Sequence, residues 1–260
     1  MTHLTEALSA SRLSWRYPHA AAPQLNELSF SLPPGALCMV LGANGAGKST
    51  LLKLLAGRLP IQHGVIQRQE EASFVPQSTQ PGMTISVEEM VLSGRVNQVR
   101  LLRAPGMKDR QICAAALARV GIQALGARDY RSLSGGEQQL VLMARAIASG
   151  ARLLLLDEIT AAMDWHNQAT ILQLLARLTQ DGYTIVFTTH SPQHALDFAS
   201  HCLLLYADGD WAFGPPETLI DDAALTRLYR LPVSCTPSRS TPGRRIAIPL
   251  FHSQHGEFTP

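Results

Sequence analysis

The sequence lacks any run of about eighteen consecutive apolar residues, the minimum for a membrane-spanning helix. If the protein serves a membrane, a different chain must cross it. Its 22 Lys and Arg against 20 Asp and Glu give a formal net charge of only +2, so nothing electrostatic indicates nucleic acid as the main partner. The four cysteines form no CxxC pair, which argues against a zinc site and fits reduced cytosolic thiols. Polar and charged residues interrupt the N-terminal segment, which does not indicate a secretion signal.

The apolar runs that are present indicate a mainly parallel sheet. Four short, continuously apolar runs are typical of buried parallel strands, and they cover residues 36–42, 72–75, 152–156 and 184–189. Helical patterns separate the later runs, which predicts an α/β fold with helices on both faces of the sheet. At 260 residues, 46% of them hydrophobic, the chain is long enough for one large domain with an inserted lobe.

The regions outside these runs show other patterns. The N-terminal segment alternates apolar and polar residues, which predicts short antiparallel strands. Helix signals without strands fill residues 82–150, including a capping box, "SVEE", at 86–89 and a helical run at 109–120. We therefore predict a single domain over residues 1–235 with a helical subdomain inserted at about 82–150. The tail at residues 236–260 either folds back as a strand or stays mobile.

The stretch "GANGAGKST" matches the pattern GxxxxGK[ST] and lies between a predicted strand and a predicted helix. Its glycines let the backbone curl around phosphates, Lys48 reaches the terminal phosphates, and the Ser49 hydroxyl can bind Mg²⁺. The pattern in this context predicts a nucleotide-binding loop. Its residues are Gly42, Ala43, Asn44, Gly45, Ala46, Gly47, Lys48, Ser49 and Thr50.

Two acidic residues, Asp157 and Glu158, end the apolar run "LLLLDE". Carboxylates at the edge of a core are costly unless a cation meets them, and a magnesium nucleotide would supply one. Ligands gather at the carboxyl ends of parallel strands, so Asp157 is predicted to lie near Ser49 and the metal. Glu158 is then the candidate base for the attacking water. The alternative is a solvated acidic turn.

Two further residues follow predicted strands at the same edge. His190 ends "TIVFTTH", where an imidazole could position a terminal phosphate, although a histidine at a strand end is often structural. Gln77 follows the run at 72–75 and opens the helical lobe, so its amide could reach Mg²⁺ or water. The alternative for Gln77 is an ordinary loop residue. His194 has no acidic or cysteine partner that would complete a metal site.

The stretch "SLSGGEQQL", residues 132–140, has the pattern of a second phosphate-binding loop. Small residues before a helix suit an anion, because free N–H groups and the positive end of the helix dipole point the same way. A single nucleotide needs only one such loop. The alternative is a glycine-rich helix cap that begins at Ser134.

With "GANGAGKST", "VPQ", "LSGGEQQ", "LLLLDE" and "TTH" in this order, the chain resembles an ATP-binding cassette (ABC) ATPase over nearly all of residues 1–235. The resemblance implies an α/β P-loop NTPase fold with a mainly parallel core sheet, an antiparallel N-terminal β subdomain and an inserted α-helical subdomain. It implies ATP and Mg²⁺ as cofactors, and it implies that Mg²⁺ is bound by Ser49, Gln77 and Asp157. Glu158 and His190 become the catalytic residues, and Gln77 the hinge of the lobe.

The resemblance also assigns roles to residues outside the phosphate loop and the acidic pair. Asp164 in "TAAMD" corresponds to the dimer-contact loop, and Tyr17 is the aromatic residue expected to stack on adenine, with Trp15 as the alternative. Family members usually have proline after the catalytic glutamate, whereas this chain has Ile159, which leaves the turn less rigid. The second loop would cap the ATP of the other subunit through Ser134, Gly135, Gly136 and Glu137.

Two stretches, "TISVEEMVLSGR" and "ALTRLYRLPV", resemble the importer branch that serves iron-siderophores, haem and cobalamin. This resemblance implies a homodimer that hydrolyses ATP at the cytoplasmic face of the membrane. It also implies a separate transmembrane permease, an extracytoplasmic substrate-binding protein and no nucleic acid. One alternative is a soluble ATPase of the same superfamily, such as a metal-cluster assembly factor. Another is a small-molecule kinase or GTPase, which "LSGGEQQ" disfavours.

Overall fold

A computed structural model describes residues 6–18, 22–79, 81–96, 105–161, 163–239 and 241–251. The strands in this part of the chain are β1 (Leu8–Trp15), β2 (Leu25–Leu32), β3 (Leu37–Gly42), β4 (His63–Arg68), β5 (Ala72–Val75), β6 (Leu153–Asp157), β7 (Thr184–Thr189), β8 (His201–Leu205), β9 (Trp211–Gly214), β10 (Val233–Pro237) and β11 (Arg245–Pro249). The α-helices are α1 (Lys48–Leu55), α2 (Val87–Leu92), α3 (Met107–Val120), α4 (Gly135–Ala148), α5 (Trp165–Gln180), α6 (Pro192–Phe198), α7 (Pro216–Leu219) and α8 (Asp222–Tyr229).

The largest sheet within the described residues has six strands in the order β5-β6-β7-β3-β8-β9. Its strands are parallel except for β9, which pairs antiparallel with β8. Strands β3, β6 and β7 are buried along their whole length, as their continuous apolar runs predict. The mixed α/β fold with a mainly parallel core sheet is therefore confirmed, and the four predicted strands lie within one residue of their expected bounds.

An antiparallel sheet in the order β2-β1-β4 lies beside this core, as the alternating N-terminal pattern predicts. Its inward side chains, among them Leu13 and Leu28, share one apolar cluster with the leucines of α1 and with Val40 of β3. This packing fixes the segment after β1 close to the start of α1. The chain stretch that contains Tyr17 is thereby placed beside the phosphate loop.

The described residues between 82 and 150 form helices and 3₁₀ turns. The predicted capping box is present at the start of α2, where the Ser86 side chain accepts from the Glu89 N–H and the Glu89 carboxylate accepts from the Ser86 N–H. Helices α2, α3 and α4 pack through buried residues that include Met90, Leu117 and Val141. Residues 97–104 of this segment lie outside the described residues.

The C-terminal part forms an antiparallel hairpin of β10 and β11. A returning strand was one of the two expectations for the tail, and β11 is such a strand. The boundary that the sequence placed at residue 235 falls inside β10, because the chain enters the hairpin at Val233. Residues 252–260 of the tail lie outside the described residues. Among the residues that are described, no helix has the length and apolar character needed to cross a membrane.

Candidate functional site

The phosphate loop joins β3 to α1 at the carboxyl edge of the large sheet. At Gly42 an added Cβ would lie 2.8 Å from the main-chain oxygen of Leu205, so a side chain would require the strand to shift. Gly47 has a φ of +100°, and a Cβ there would lie 3.0 Å from the Gln24 main-chain oxygen. The loop therefore curls tightly into Lys48, and the positive end of the α1 dipole lies at the loop.

Lys48 is the cation of this loop, and only 4% of it is exposed. Its Nζ donates to the main-chain oxygens of Gly42 at 2.9 Å and Ala43 at 3.2 Å, and it lies 3.3 Å from Glu158 Oε1. Desolvation lowers the pKa of Lys48, whereas the nearby Glu158 and Asp157 carboxylates oppose that shift. The two carboxylates therefore help to keep the buried amine charged, as phosphate binding requires.

Asp157 lies where the sequence placed it, beside the phosphate loop. Its Oδ1 accepts from the Ser49 hydroxyl at 3.0 Å and from the Thr188 hydroxyl at 2.9 Å. Thr188 in turn accepts from the Glu158 N–H at 2.9 Å. The parallel register pairs Asp157 with Thr188, so β7 fixes both acidic residues at the end of β6.

Ser49 and Asp157 offer a hydroxyl and a carboxylate oxygen on adjacent elements. Mg²⁺ prefers oxygen ligands and is commonly held by one or two carboxylates together with substrate phosphates. The donor set therefore fits a magnesium nucleotide rather than a dedicated protein cage. The described residues contain no group of three or more His, Cys, Asp or Glu that could hold a metal ion.

Glu158 has a φ of +48°, a backbone conformation that side-chain-bearing residues rarely adopt. Its Oε1 lies 2.7 Å from His190 Nε2 and 3.3 Å from Lys48 Nζ. The carboxylate is thus held between an imidazole and an ammonium group beside the phosphate loop. The structure brings these three predicted residues together.

The residue after this glutamate is Ile159, and it is 1% exposed within the main apolar cluster. The sequence indicated a less rigid turn than proline would give. Burial of the Ile159 side chain also restricts the turn, because moving the turn would expose that side chain to water. A second contact joins the Ala161 N–H to the Glu158 main-chain oxygen at 3.0 Å.

The two aromatic candidates for adenine stacking differ in exposure. Trp15 is 5% exposed and donates its indole N–H to the Pro60 main-chain oxygen at 3.1 Å. Tyr17 is 42% exposed, and its hydroxyl lies 3.0 Å from the Thr50 hydroxyl. The two rings meet edge to face, with centroids 4.3 Å apart. Tyr17 is therefore the ring available to a ligand, and the buried Trp15 ring packs against it.

The phosphate loop lines one groove of the described part of the chain. Its lining consists of Tyr17, Gln24, Asn44, Gly45, Gly47, Lys48, Ser49, Thr50 and Glu158. Gln77 is not part of this lining: its side chain is exposed, and its main-chain oxygen accepts from the Gln139 side chain on α4. The structure therefore links Gln77 to the helical segment.

The second loop forms a helix cap, as the alternative interpretation proposed. Ser134 Oγ accepts from the Glu137 N–H at 3.3 Å, and the Glu137 carboxylate accepts from the Ser134 N–H at 2.9 Å. Gly136 lies against Asn167, whose N–H donates to the Asp164 carboxylate at 2.8 Å. Residues 134–137 and Asp164 thus form a second group of predicted residues, outside the groove of their own chain.

The sequence interpretation missed three residues of the site. Thr188 connects Asp157 to Glu158, and its signal was the threonine pair before His190. Gln24 donates its amide to the Gly45 main-chain oxygen, and Asn167 joins the two parts of the second group. No sequence pattern marks Gln24 or Asn167, because each contact depends on how distant segments pack.

His194 does not belong to a metal set in the described residues. Its Nδ1 lies 3.1 Å from the Thr189 hydroxyl, and its Nε2 lies 3.2 Å from Gln168 Oε1. Burial lowers the pKa of His194, which favours a neutral ring between these two polar groups. The ring therefore ties α5 to the end of β7.

Comparison with known proteins identifies the family. Residues 25–161 match the family model described as ABC transporter. The molybdate import ATP-binding protein MolC of Haemophilus influenzae is 40% identical over 88% of this chain and 90% of its own length. The hemin import ATP-binding protein HmuV of Nocardia farcinica is 33% identical over 87% of this chain and 82% of its own length.

A solved structure shows the same similarity. A metal-chelate type ABC transporter in an inward-facing conformation contains a chain that matches with a TM-score of 0.89 and 36% identity, covering 95% of this chain and 98% of its own length. The chain therefore belongs to the ABC transporter family, as an ATP-binding subunit whose ATPase activity is coupled to transport.

Proposed function

We propose that this chain is the ATPase subunit of an importer and powers uptake of a metal chelate, such as an iron-siderophore, haem or cobalamin, through a separate permease. The observation that carries the ATPase role is the placement of Lys48, Glu158 and His190 around one phosphate loop. The names of the hemin import relative and of the metal-chelate transporter support the substrate class. The 40% identity to the molybdate import protein favours molybdate as the second candidate substrate.

The proposed assembly is a homodimer that holds two ATP molecules between its subunits. Support comes from the separation, within one chain, of the phosphate-loop groove from the cap at residues 134–137. In a two-fold dimer the cap of one subunit can face the phosphate loop of the other, which completes two equivalent sites. Asp164 lies beside the cap and would contact the same partner through its loop.

Each site residue has a proposed role in hydrolysis. Lys48 and the loop N–H groups would bind the β- and γ-phosphates, and Ser49, Asp157 and Gln77 would hold Mg²⁺. Mg²⁺ would neutralise charge that develops on the phosphates. Glu158 accepts the proton of the attacking water, and His190 orients the Glu158 carboxylate through its 2.7 Å contact. Gln77 would couple the site to the helical segment through Gln139.

The proposed location is the cytoplasmic face of the membrane, where the chain binds its permease peripherally. An extracytoplasmic substrate-binding protein would deliver the substrate to that permease. A soluble metal-cluster assembly ATPase is the competing function for a chain of this family. The presence of a permease partner separates the two.

Affinity purification of the tagged chain from detergent-solubilised membranes tests the importer. We expect a polytopic membrane protein to copurify, and the ligand of its binding protein to distinguish a metal chelate from molybdate. An untagged chain from the same membranes is the control for nonspecific recovery. Purification of the ATPase without any polytopic partner would contradict the importer and favour the soluble alternative.

Replacing Tyr17 with Ala is expected to weaken ATP binding by about 5- to 160-fold, since stacking of a base on an aromatic ring contributes about 1–3 kcal/mol. Turnover at saturating ATP should change little, because Tyr17 lies away from Glu158 and His190. Calorimetric titration with ATP measures the loss, and Tyr17→Phe, which retains the ring, is the matched control. Equal affinity of the Ala variant and the unmodified chain would remove Tyr17 from the site.

A further inference from the structure

A tyrosine from the C-terminal part of the chain binds the backbone of the histidine in the nucleotide site. The Tyr229 hydroxyl donates to the main-chain oxygen of His190 at 3.0 Å. The two residues are 39 positions apart in sequence, so the bond joins α8 to the end of β7. Tyr229 is part of the stretch "LYRLPV", to which the proposed mechanism gives no role.

The position of Tyr229 is fixed by its helix. Asp221 caps α8 by accepting from the Ala224 N–H at 2.7 Å, and Leu225 and Leu228 anchor the helix in the core. The helix ends directly after Tyr229, because Arg230 takes a left-handed conformation with φ +53°. Burial raises the pKa of Tyr229, so the hydroxyl keeps its proton at neutral pH and remains a donor.

His190 connects β7 to the short helix α6, and the C-terminal hairpin holds that helix. The Gln193 side chain donates to the Arg245 main-chain oxygen at 3.1 Å and accepts from the Ala247 N–H at 3.3 Å. These bonds hold α6 three residues beyond His190. The Tyr229 hydroxyl binds the main chain of His190 itself and therefore helps to fix the backbone from which the imidazole extends.

We propose that Tyr229 is a positioning residue for His190. The hydroxyl holds the His190 peptide so that the imidazole meets Glu158 Oε1 at 2.7 Å. Without the bond, the peptide at the end of β7 can rotate, and fewer molecules present the imidazole to the glutamate and the terminal phosphate. The inference rests on the proposed role of His190 in ATP hydrolysis.

The test begins with Tyr229→Phe, which removes the hydroxyl and keeps the ring. We expect kcat to fall about 5-fold with KM for ATP unchanged, and Tm to fall by only the few degrees that the loss of one hydrogen bond costs. The matched control is Tyr183→Phe, because Tyr183 is buried against Arg119 and Arg152, away from the phosphate loop. An unchanged kcat in Tyr229→Phe would overturn the inference. A lower kcat that is fully explained by a smaller folded fraction at the assay temperature would overturn it as well.

A double-mutant cycle separates this inference from the proposed function. If Tyr229 acts through His190, Tyr229→Phe will cause no further loss in a His190→Ala chain. An additional 5-fold loss in that chain would overturn the positioning role and leave the function intact. Full turnover of His190→Ala alone would contradict the role of His190, and the inference would fall with it.

Discussion

Replacing Glu158 with Gln is expected to lower kcat by about 100- to 10,000-fold, the loss that follows removal of a positioned general base. The amide has the shape of the carboxylate and can still accept a hydrogen bond from His190, but it cannot take a proton from water. Lys48 retains its bonds to Gly42 and Ala43, so the phosphate loop should still bind ATP. The variant should therefore accumulate as an ATP-bound dimer.

Phosphate release and size-exclusion chromatography with ATP measure these two effects. Glu217→Gln makes the same chemical change at an exposed site on α7 and should leave both quantities unaltered. Unchanged turnover of Glu158→Gln would show that another group activates water. Loss of ATP binding would instead show that Glu158 mainly supports Lys48.

Replacing Ser134 with Arg is expected to leave ATP binding to the monomer intact and to abolish ATP-dependent dimerisation. Turnover should fall by about 100-fold or more, as when a site loses a donor that stabilises the transition state. Ser134 lies outside the groove of its own chain, and a bulky cation at the cap would block approach to the nucleotide of another subunit. ATP titration and light scattering with ATP measure the two properties.

Ser86→Arg is the matched control for this variant. Ser86 caps α2 through the same box of contacts that Ser134 makes at α4, so both variants lose a helix cap. A lost cap costs about 1 kcal/mol of stability in either helix. Only the α4 variant should lose dimerisation. Equal losses in both variants would assign the effect to helix stability and not to a contact with the second subunit.

The sequence predicts the fold well where local patterns determine it. The continuous apolar runs predict β3, β5, β6 and β7 because buried parallel strands need apolar residues on both faces. The capping box at 86–89 predicts where α2 begins, since its contacts join residues three positions apart. The proximity of Asp157 to Ser49 also follows, because the carboxyl ends of all parallel strands lie at the same edge of the sheet.

Contacts that depend on packing between distant segments could not be predicted in this way. The choice between Trp15 and Tyr17 needed the burial of each ring, and a boundary at residue 235 ignored the pairing of β10 with β11. The bond from Tyr229 to His190 depends on where α8 ends. Gln77 is tied to α4 through its main-chain oxygen, and its role in metal binding stays a prediction.

We propose that each ATP site takes its phosphate loop from one subunit and its cap from the other. Two chains that cannot dimerise alone test it, provided that both also carry Glu158→Gln to prevent hydrolysis. A Lys48→Ala chain has a phosphate loop that cannot bind ATP but keeps a functional cap. A Ser134→Arg chain keeps a functional phosphate loop but has a blocked cap. Pairing them leaves one complete site per dimer.

The decisive measurement is ATP-dependent association of these two chains, each with its own fluorescent label, in a mixture and separately. Composite sites predict mixed dimers with one ATP per pair of chains, and no dimers of either chain alone. Failure of the mixture to associate, under conditions where Glu158→Gln alone dimerises with ATP, would contradict the composite site.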